Sequence, residues 1–154
     1  MTTARQPTLF IPHGGGPCFF MEWDPPHLWD KMAEYLRGIA TALPAKPRAI
    51  VLISGHWEEA DFTVQTHPNP ELVYDYSGFP PHTYKLQYPA PGAPELATQV
   101  QGLLQAAGIA SKADAQRGFD HGVFIPLKVA FPAADIPVIQ LSLKKGLSPA
   151  QHMA

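Results

Sequence analysis

The sequence predicts an α/β fold, a central, largely parallel or mixed β-sheet flanked by helices and cut short at its carboxyl end. Three observations predict it. Short continuous apolar runs of strand length alternate with longer stretches whose apolar residues recur every three or four positions. Two of the strand-like runs each deliver a histidine at the carboxyl end, the edge where open α/β sheets bind ligands. A helix-start signal, Ser148-Pro149, stands with only five residues after it.

The elements follow in order. Residues 8–12, bounded by Pro7 and the Gly14-Gly15-Gly16-Pro17 turn, read as a buried strand with His13 at its carboxyl end. Over 28–43, Leu28, Met32, Tyr35, Leu36, Ile39 and Leu43 define one face of an amphipathic helix that Pro44 ends. Residues 49–54 form a continuous, largely β-branched run suited to a strand buried on both faces, and His56 lies just past it. Residues 62–66 read as a further strand. Residues 67–92 then form a long loop rich in proline and aromatic residues. Order is expected there, because Tyr74, Tyr76, Phe79, Tyr84 and Tyr88 carry too much apolar surface to be left in water. Pro94 opens a helix with Leu96, Val100, Leu103 and Leu104 on one face, closed by Gly108. A third histidine-bearing loop, Gly118-Phe119-Asp120-His121-Gly122, precedes a short helix over 123–131 and a buried strand over 137–143. With no repeat or linker, residues 1–154 read as one α/β catalytic domain, the amino-terminal portion of a longer one.

Composition narrows the function. The 11 basic and 13 acidic residues are scattered and leave a net charge of −2, so no basic stripe offers itself to nucleic acid. No apolar run is long enough to span a bilayer, and residues 1–7 leave no room for a leader's apolar core, so no membrane partner and a cytoplasmic location are expected. A single cysteine, Cys18, excludes an internal disulfide. Seven histidines among only 16% charged residues invite a metal.

His13 and His56, at equivalent strand ends, are positioned to face one site as neutral imidazole ligands. An ordinary loop histidine that caps a backbone group is the plain alternative for each. Two ligands do not complete a coordination sphere, and His121, Glu58, Glu59 and Asp61 are the candidates to extend it. His56-Trp57-Glu58 carries the H-x-E of zinc deaminases but lacks the P-C-x-x-C that goes with it. His-Glu-x-x-His is absent, and the glycine run lacks the lysine and hydroxyl of a phosphate loop. Asp120 stands next to His121 as a carboxylate that would orient it for proton transfer, or that caps the following helix while His121 packs. His27, His67, His82 and His152 read as structural or solvated.

Five motifs taken together resemble the class III extradiol ring-cleavage dioxygenases, in the DOPA-dioxygenase-like branch related to the catalytic B subunit of protocatechuate 4,5-dioxygenase. They are Pro-His-Gly-Gly-Gly-Pro at 12–17, Ser-Gly-His-Trp-Glu at 54–58, Gly-Phe-Pro-Pro at 78–81, Tyr-Pro-Ala-Pro-Gly at 88–92 and Gly-Phe-Asp-His-Gly at 118–122. The resemblance covers essentially the whole chain. It implies one non-haem ion per site, Fe(II) or Zn(II), held by His13 and His56, with His121 as the acid/base or substrate-contacting histidine. It further implies a catecholic substrate and O2 as the small-molecule partners, with dioxygen inserted next to one hydroxyl. Tyr74, Phe79 and Tyr84 become candidate substrate-binding walls. The family's remaining functional histidines and a late metal ligand fall in a carboxyl-terminal half without counterpart here, so the chain alone is expected to be inactive and to self-associate, a homo-oligomer being one outcome. Two other readings stay open on this fold: a zinc-dependent hydrolase, and a non-catalytic metal-binding protein like the Memo relatives.

Overall fold

The structure is a computed structural model that describes residues 5–153. Residues 1–4, most of the segment read above for a leader, lie outside the described residues, as does Ala154. A four-stranded mixed sheet forms the centre, built from β1 (Ile50–Glu59), β2 (Phe62–Gln65), β3 (Ser111–Asp114) and β4 (Val138–Lys144) in the order β1-β4-β2-β3. β1 runs parallel to β4 and β2 parallel to β3, while β2 meets β4 antiparallel. The predicted α/β class with a mixed sheet is the class found.

The helices are α1 (Asp30–Ala42), α2 (Pro94–Ala106), α3 (His121–Ala130) and α4 (Pro149–His152). Each begins or ends near the sequence signal that predicts it. α1 stops before Pro44, and Pro94 and Pro149 occupy first-turn positions, where proline's missing N–H costs nothing. α2 covers the sheet by packing Ala97 with Val64 and Ile139. α3 covers the opposite face: Val123, Phe124, Ile125 and Leu127 form a core with Phe119, Tyr88 and Val138, against which Ile50 and Leu52 pack. α1 packs outside α3 through Leu36, Ile39 and Ala130. The long loop is ordered by its aromatic side chains, as expected. Tyr74 and Tyr76 pack on the α3 core, and the Tyr74, Tyr76 and Tyr84 hydroxyls are tied to backbone groups at Leu86, Thr83 and Tyr76 respectively.

Two expectations are corrected, and one strand had not been anticipated. Residues 8–12 do not form a strand: Leu9 is 47% and Phe10 98% exposed, and the segment pairs with no ladder among the described residues. An apolar run becomes a strand only by finding an edge, and proline at both ends removes donors that a ladder would use. His56 does not lie beyond its strand. β1 continues through Glu59, and its ladder with β4 slips between Ile53 and Glu58, so His56 sits on a bulge that re-aims the backbone. Finally, β3 had no apolar signature; Ser-Lys-Ala-Asp becomes a strand only because it pairs with the edge of β2.

Candidate metal centre

The bulge in β1, the glycine loop and the start of α3 bring three imidazoles together. The His13 and His56 Nε2 atoms are 2.8 Å apart. Ring centroids are 4.0 Å apart for His56 and His121 and 4.9 Å apart for His13 and His121. One nitrogen from each of the three lies within 4.8 Å of the others, the geometry of a group that can hold an ion. His121 is buried, His13 half-buried and His56 exposed, so the group opens to solvent on the His56 side.

Close approach explains the local glycines. A Cβ on Gly122 would meet His56 Cδ2 and Ser54 Oγ, each at 2.8 Å, so β1 and the first turn of α3 touch only because residue 122 has no side chain. Gly16, at φ +53°, adopts a left-handed turn, and the Phe79 ring packs where its side chain would be. The aromatic loop thereby rests on the loop that carries His13. Cys18 braces the same turn: its buried thiol, pushed up to about 11 by desolvation, lies 3.7 Å from the His13 carbonyl and donates to it.

Beneath the imidazoles lies a buried polar cluster. Asp120 is fully buried and accepts hydrogen bonds from Ser54 Oγ at 2.7 Å, Arg117 Nη2 at 3.0 Å and Gln140 Nε2. Ser54 Oγ in turn accepts the His56 backbone N–H at 3.1 Å. The Arg117 guanidinium also lies over the Trp57 ring, 5.1 Å from its centroid. One carboxylate thus ties β1, β4 and the start of α3 together directly below His56 and His121.

That network overturns both roles expected of Asp120. Its side chain neither caps α3 nor orients His121, because its oxygens are committed to Ser54, Arg117 and Gln140. Asp75, from the aromatic loop, does both. Its Oδ1 accepts the His121 backbone N–H at 2.9 Å and the His121 Nδ1–H at 2.8 Å. Partial burial raises the Asp75 carboxyl, but the bonds from His121 outweigh it and hold the group below the ordinary carboxylate range. Burial first, and then the neighbouring His121 and His56, hold His13 below the usual imidazole value.

The remaining candidates fall outside this group. Glu59 accepts from Trp57 Nε1 at 3.0 Å, Asp61 pairs with Lys112 at 2.9 Å, and Glu58 is exposed. Tyr74 and Tyr84 spend their hydroxyls within the loop, although Tyr76 sets its ring edge-on to His121 at 5.8 Å. His27, His67, His82 and His152 each have a hydrogen-bond partner of their own, at Asp30, Asn69, Phe20 and Lys144. Sequence reasoning missed Asp75, Ser54, Arg117 and Gln140. Only the carboxylate between two tyrosines in an otherwise aromatic loop hinted at the first. Among the described residues no helix is long and apolar enough to cross a membrane.

Residues 7–154 match the family model described as the catalytic LigB subunit of aromatic ring-opening dioxygenase. The chain is 38% identical to the dioxygenase tasH of Hapsidospora irregularis, over 96% of this chain and 47% of that protein. It is 44% identical to the 4,5-DOPA dioxygenase extradiol of Portulaca grandiflora, over 71% of this chain and 41% of the relative, and 34% identical to the protein of the same name from Escherichia coli K12, over 99% and 53%. The chain therefore spans about half the length of the curated relatives it matches. A crystal structure of an uncharacterized Escherichia coli K12 protein superposes with a TM-score of 0.57 at 34% identity, covering 73% of this chain and 40% of that one. With the family pattern matched from residue 7 to residue 154, the chain belongs to the family of the catalytic LigB subunit of aromatic ring-opening dioxygenases.

Proposed function

We propose that this chain carries the metal-holding part of an extradiol dioxygenase that opens a catecholic ring with O2. The observation that carries the reading is the 2.8 Å separation of the His13 and His56 Nε2 atoms. Two nitrogen lone pairs that close repel unless a proton or a cation lies between them. The distance is near the ~3 Å that separates adjacent ligand atoms around an ion with bonds of about 2.0–2.1 Å. His13 Nδ1, buried and without a hydrogen-bond partner among the described residues, leaves that ring no competing anchor. The donor set therefore fits a divalent ion of the Fe(II) or Zn(II) kind. When bound, such an ion lowers the pKa of coordinated hydroxyls and brings catechol and O2 to one place.

The residues of this chain then divide the work. His13 and His56 would hold the ion. His121 has Nδ1 committed to Asp75, leaving Nε2 to take a proton from a substrate hydroxyl and return it later. Phe79, packed against Gly16, and the neighbouring Tyr74 and Tyr84 wall the side from which a flat ring would enter. Three clustered imidazoles are also the donor set of hydrolytic zinc sites, which gives a second reading in which His121 is the third ligand.

The two readings part in one experiment. Oxygen consumption with several catechols under Fe(II), alongside metal content, is measured for the chain, for a version extended to its relatives' length, and for His56→Ala and His121→Ala of the extended form. Ring opening by the extended form is expected. His121→Ala should retain metal while losing about 10²- to 10⁴-fold in turnover, and His56→Ala should lose metal. Metal loss in His121→Ala equal to that in His56→Ala makes it a ligand, and metal binding with no catechol-dependent oxygen uptake overturns the dioxygenase reading.

A further inference from the structure

We propose that Asp75 is a positioning residue for His121, fixing both the angle of the imidazole and its tautomer so that Nε2 is left with a bare lone pair. The inference rests on the reading of His121 as the proton-handling group, but its physical content concerns this chain alone. One oxygen, Asp75 Oδ1, receives two donors from the same residue, the backbone N–H and the ring Nδ1–H of His121. Two bonds to one residue fix the side chain in a way that a single bond does not. Since the carboxylate only accepts, the proton between it and Nδ1 belongs to the ring, and the neutral imidazole must then be bare at Nε2.

The fold explains why a residue 46 positions away takes this part. His121 is the first residue of α3, and its N–H is one of the donors that a helix leaves unpaired at its start. The adjacent Asp120 would ordinarily serve that end, but its carboxylate is buried in the Ser54, Arg117 and Gln140 cluster. Asp75 supplies the missing acceptor, and the same atom orients the ring. Its side chain is 25% exposed while that of His121 is 8% exposed, so the carboxylate closes the solvent side of the pair. Tyr76, the next residue, meets the His121 ring edge-on, so the loop grips it from two directions.

The test is ¹⁵N NMR of the histidine-labelled 154-residue chain without metal, at about pH 8, above the ordinary imidazole range. The expected result is that His121 carries its proton on Nδ1 and is bare at Nε2. In Asp75→Ala the Nδ1–H signature should be lost to a mixture of tautomers, with the other histidine signals in place. Asp75→Asn is the second variant should the alanine form fail to fold: its amide competes for Nδ1, and an Nε2–H population should appear. A wild-type His121 protonated at Nε2, or an unchanged tautomer in whichever variant is folded, overturns the proposal. Oxygen uptake by the extended form is followed separately. A correct tautomer without catechol turnover sinks the dioxygenase reading and leaves the Asp75 assignment standing, whereas turnover with the wrong tautomer does the reverse.

Discussion

The two faces of β1 carry the same kind of residue and meet opposite fates. Ile50 and Leu52 alternate with Val51 and Ile53, so side chains of nearly equal hydrophobicity point to opposite sides of the sheet. On one side α3 covers them, and Ile50 and Leu52 join the core of Phe119, Val123 and Phe124. On the other side the β4 register partners of Val51 and Ile53, Ile139 and Leu141, pack with α2 in a cluster that includes neither β1 residue. Val51 remains 48% and Ile53 58% exposed. Apolar sequence alone thus does not say which face is core; the helix that lands on it does. The same division sets the site, since His121 rides on the covering helix and is buried, while His56, on the strand, is exposed.

The largest expected effect lies on the covered side. Phe124 is fully buried between the sheet and the aromatic loop, touching both Tyr74 and Tyr76 edge-on or tilted. Phe124→Ala should cost about 3–5 kcal/mol, read as a lowered denaturant midpoint. It should also loosen the loop that carries Asp75. A cost below ~1 kcal/mol, the scale of an ordinary substitution, would mean that the α3 side is no better packed than the open one.

The contrast between faces bears on what could be read from the sequence. The convergence of His13 and His56 was legible in its outcome, since each histidine follows a recognisable apolar run, but not in its cause: residues 8–12 form no strand, and His56 sits within β1 where its ladder slips. The helices were legible because proline and periodicity mark them. Residues 8–12 were over-read, because strand character in Leu9 and Phe10 says nothing of whether a partner edge is within reach. β3 was invisible for the converse reason: pairing alone makes polar Ser-Lys-Ala-Asp a strand. The partner of His121 was misassigned because proximity in sequence favoured Asp120, whereas burial commits that carboxylate to Ser54 and Gln140 and leaves Asp75 to arrive through the tertiary fold.

A smaller effect is expected where the covered side meets the site. Gly122→Ala sets two terms against each other. Alanine favours a helix over glycine by about 1 kcal/mol, but its Cβ would meet His56 Cδ2 and Ser54 Oγ at 2.8 Å. Ser54 is held by Asp120, so it cannot give way without breaking the buried cluster. Overpacking of about 1–3 kcal/mol should therefore win, and His56 should be the group that moves. Stability should fall slightly while zinc affinity falls on the order of tenfold, as for loss of a group supporting a ligand. Isothermal titration with zinc reads the second effect, and unchanged affinity would show that His56 reaches the ion from a position independent of α3.

The smallest effect is expected on the open face, and it tests the comparison most directly. Ile53 and Ile50 are the same residue type on one strand and point to opposite faces, so a difference between their substitutions reports mainly what covers them. Ile53→Thr keeps the β-branch, the strand propensity and the main-chain ladder to Leu141, and removes mainly apolar surface that is already more than half in water. Its cost should stay within about 0.5 kcal/mol, as for surface positions remote from core packing. The equivalent change at Ile50, whose partly buried side chain packs against the α3 core, replaces apolar contact with a hydroxyl on the covered face and should cost several times more. Denaturant titrations of the two variants at several protein concentrations decide the matter. Equal costs at every concentration would mean that the face carrying Val51 and Ile53 is covered in solution, whereas a cost at Ile53 that grows with concentration would trace the cover to a second copy of the chain.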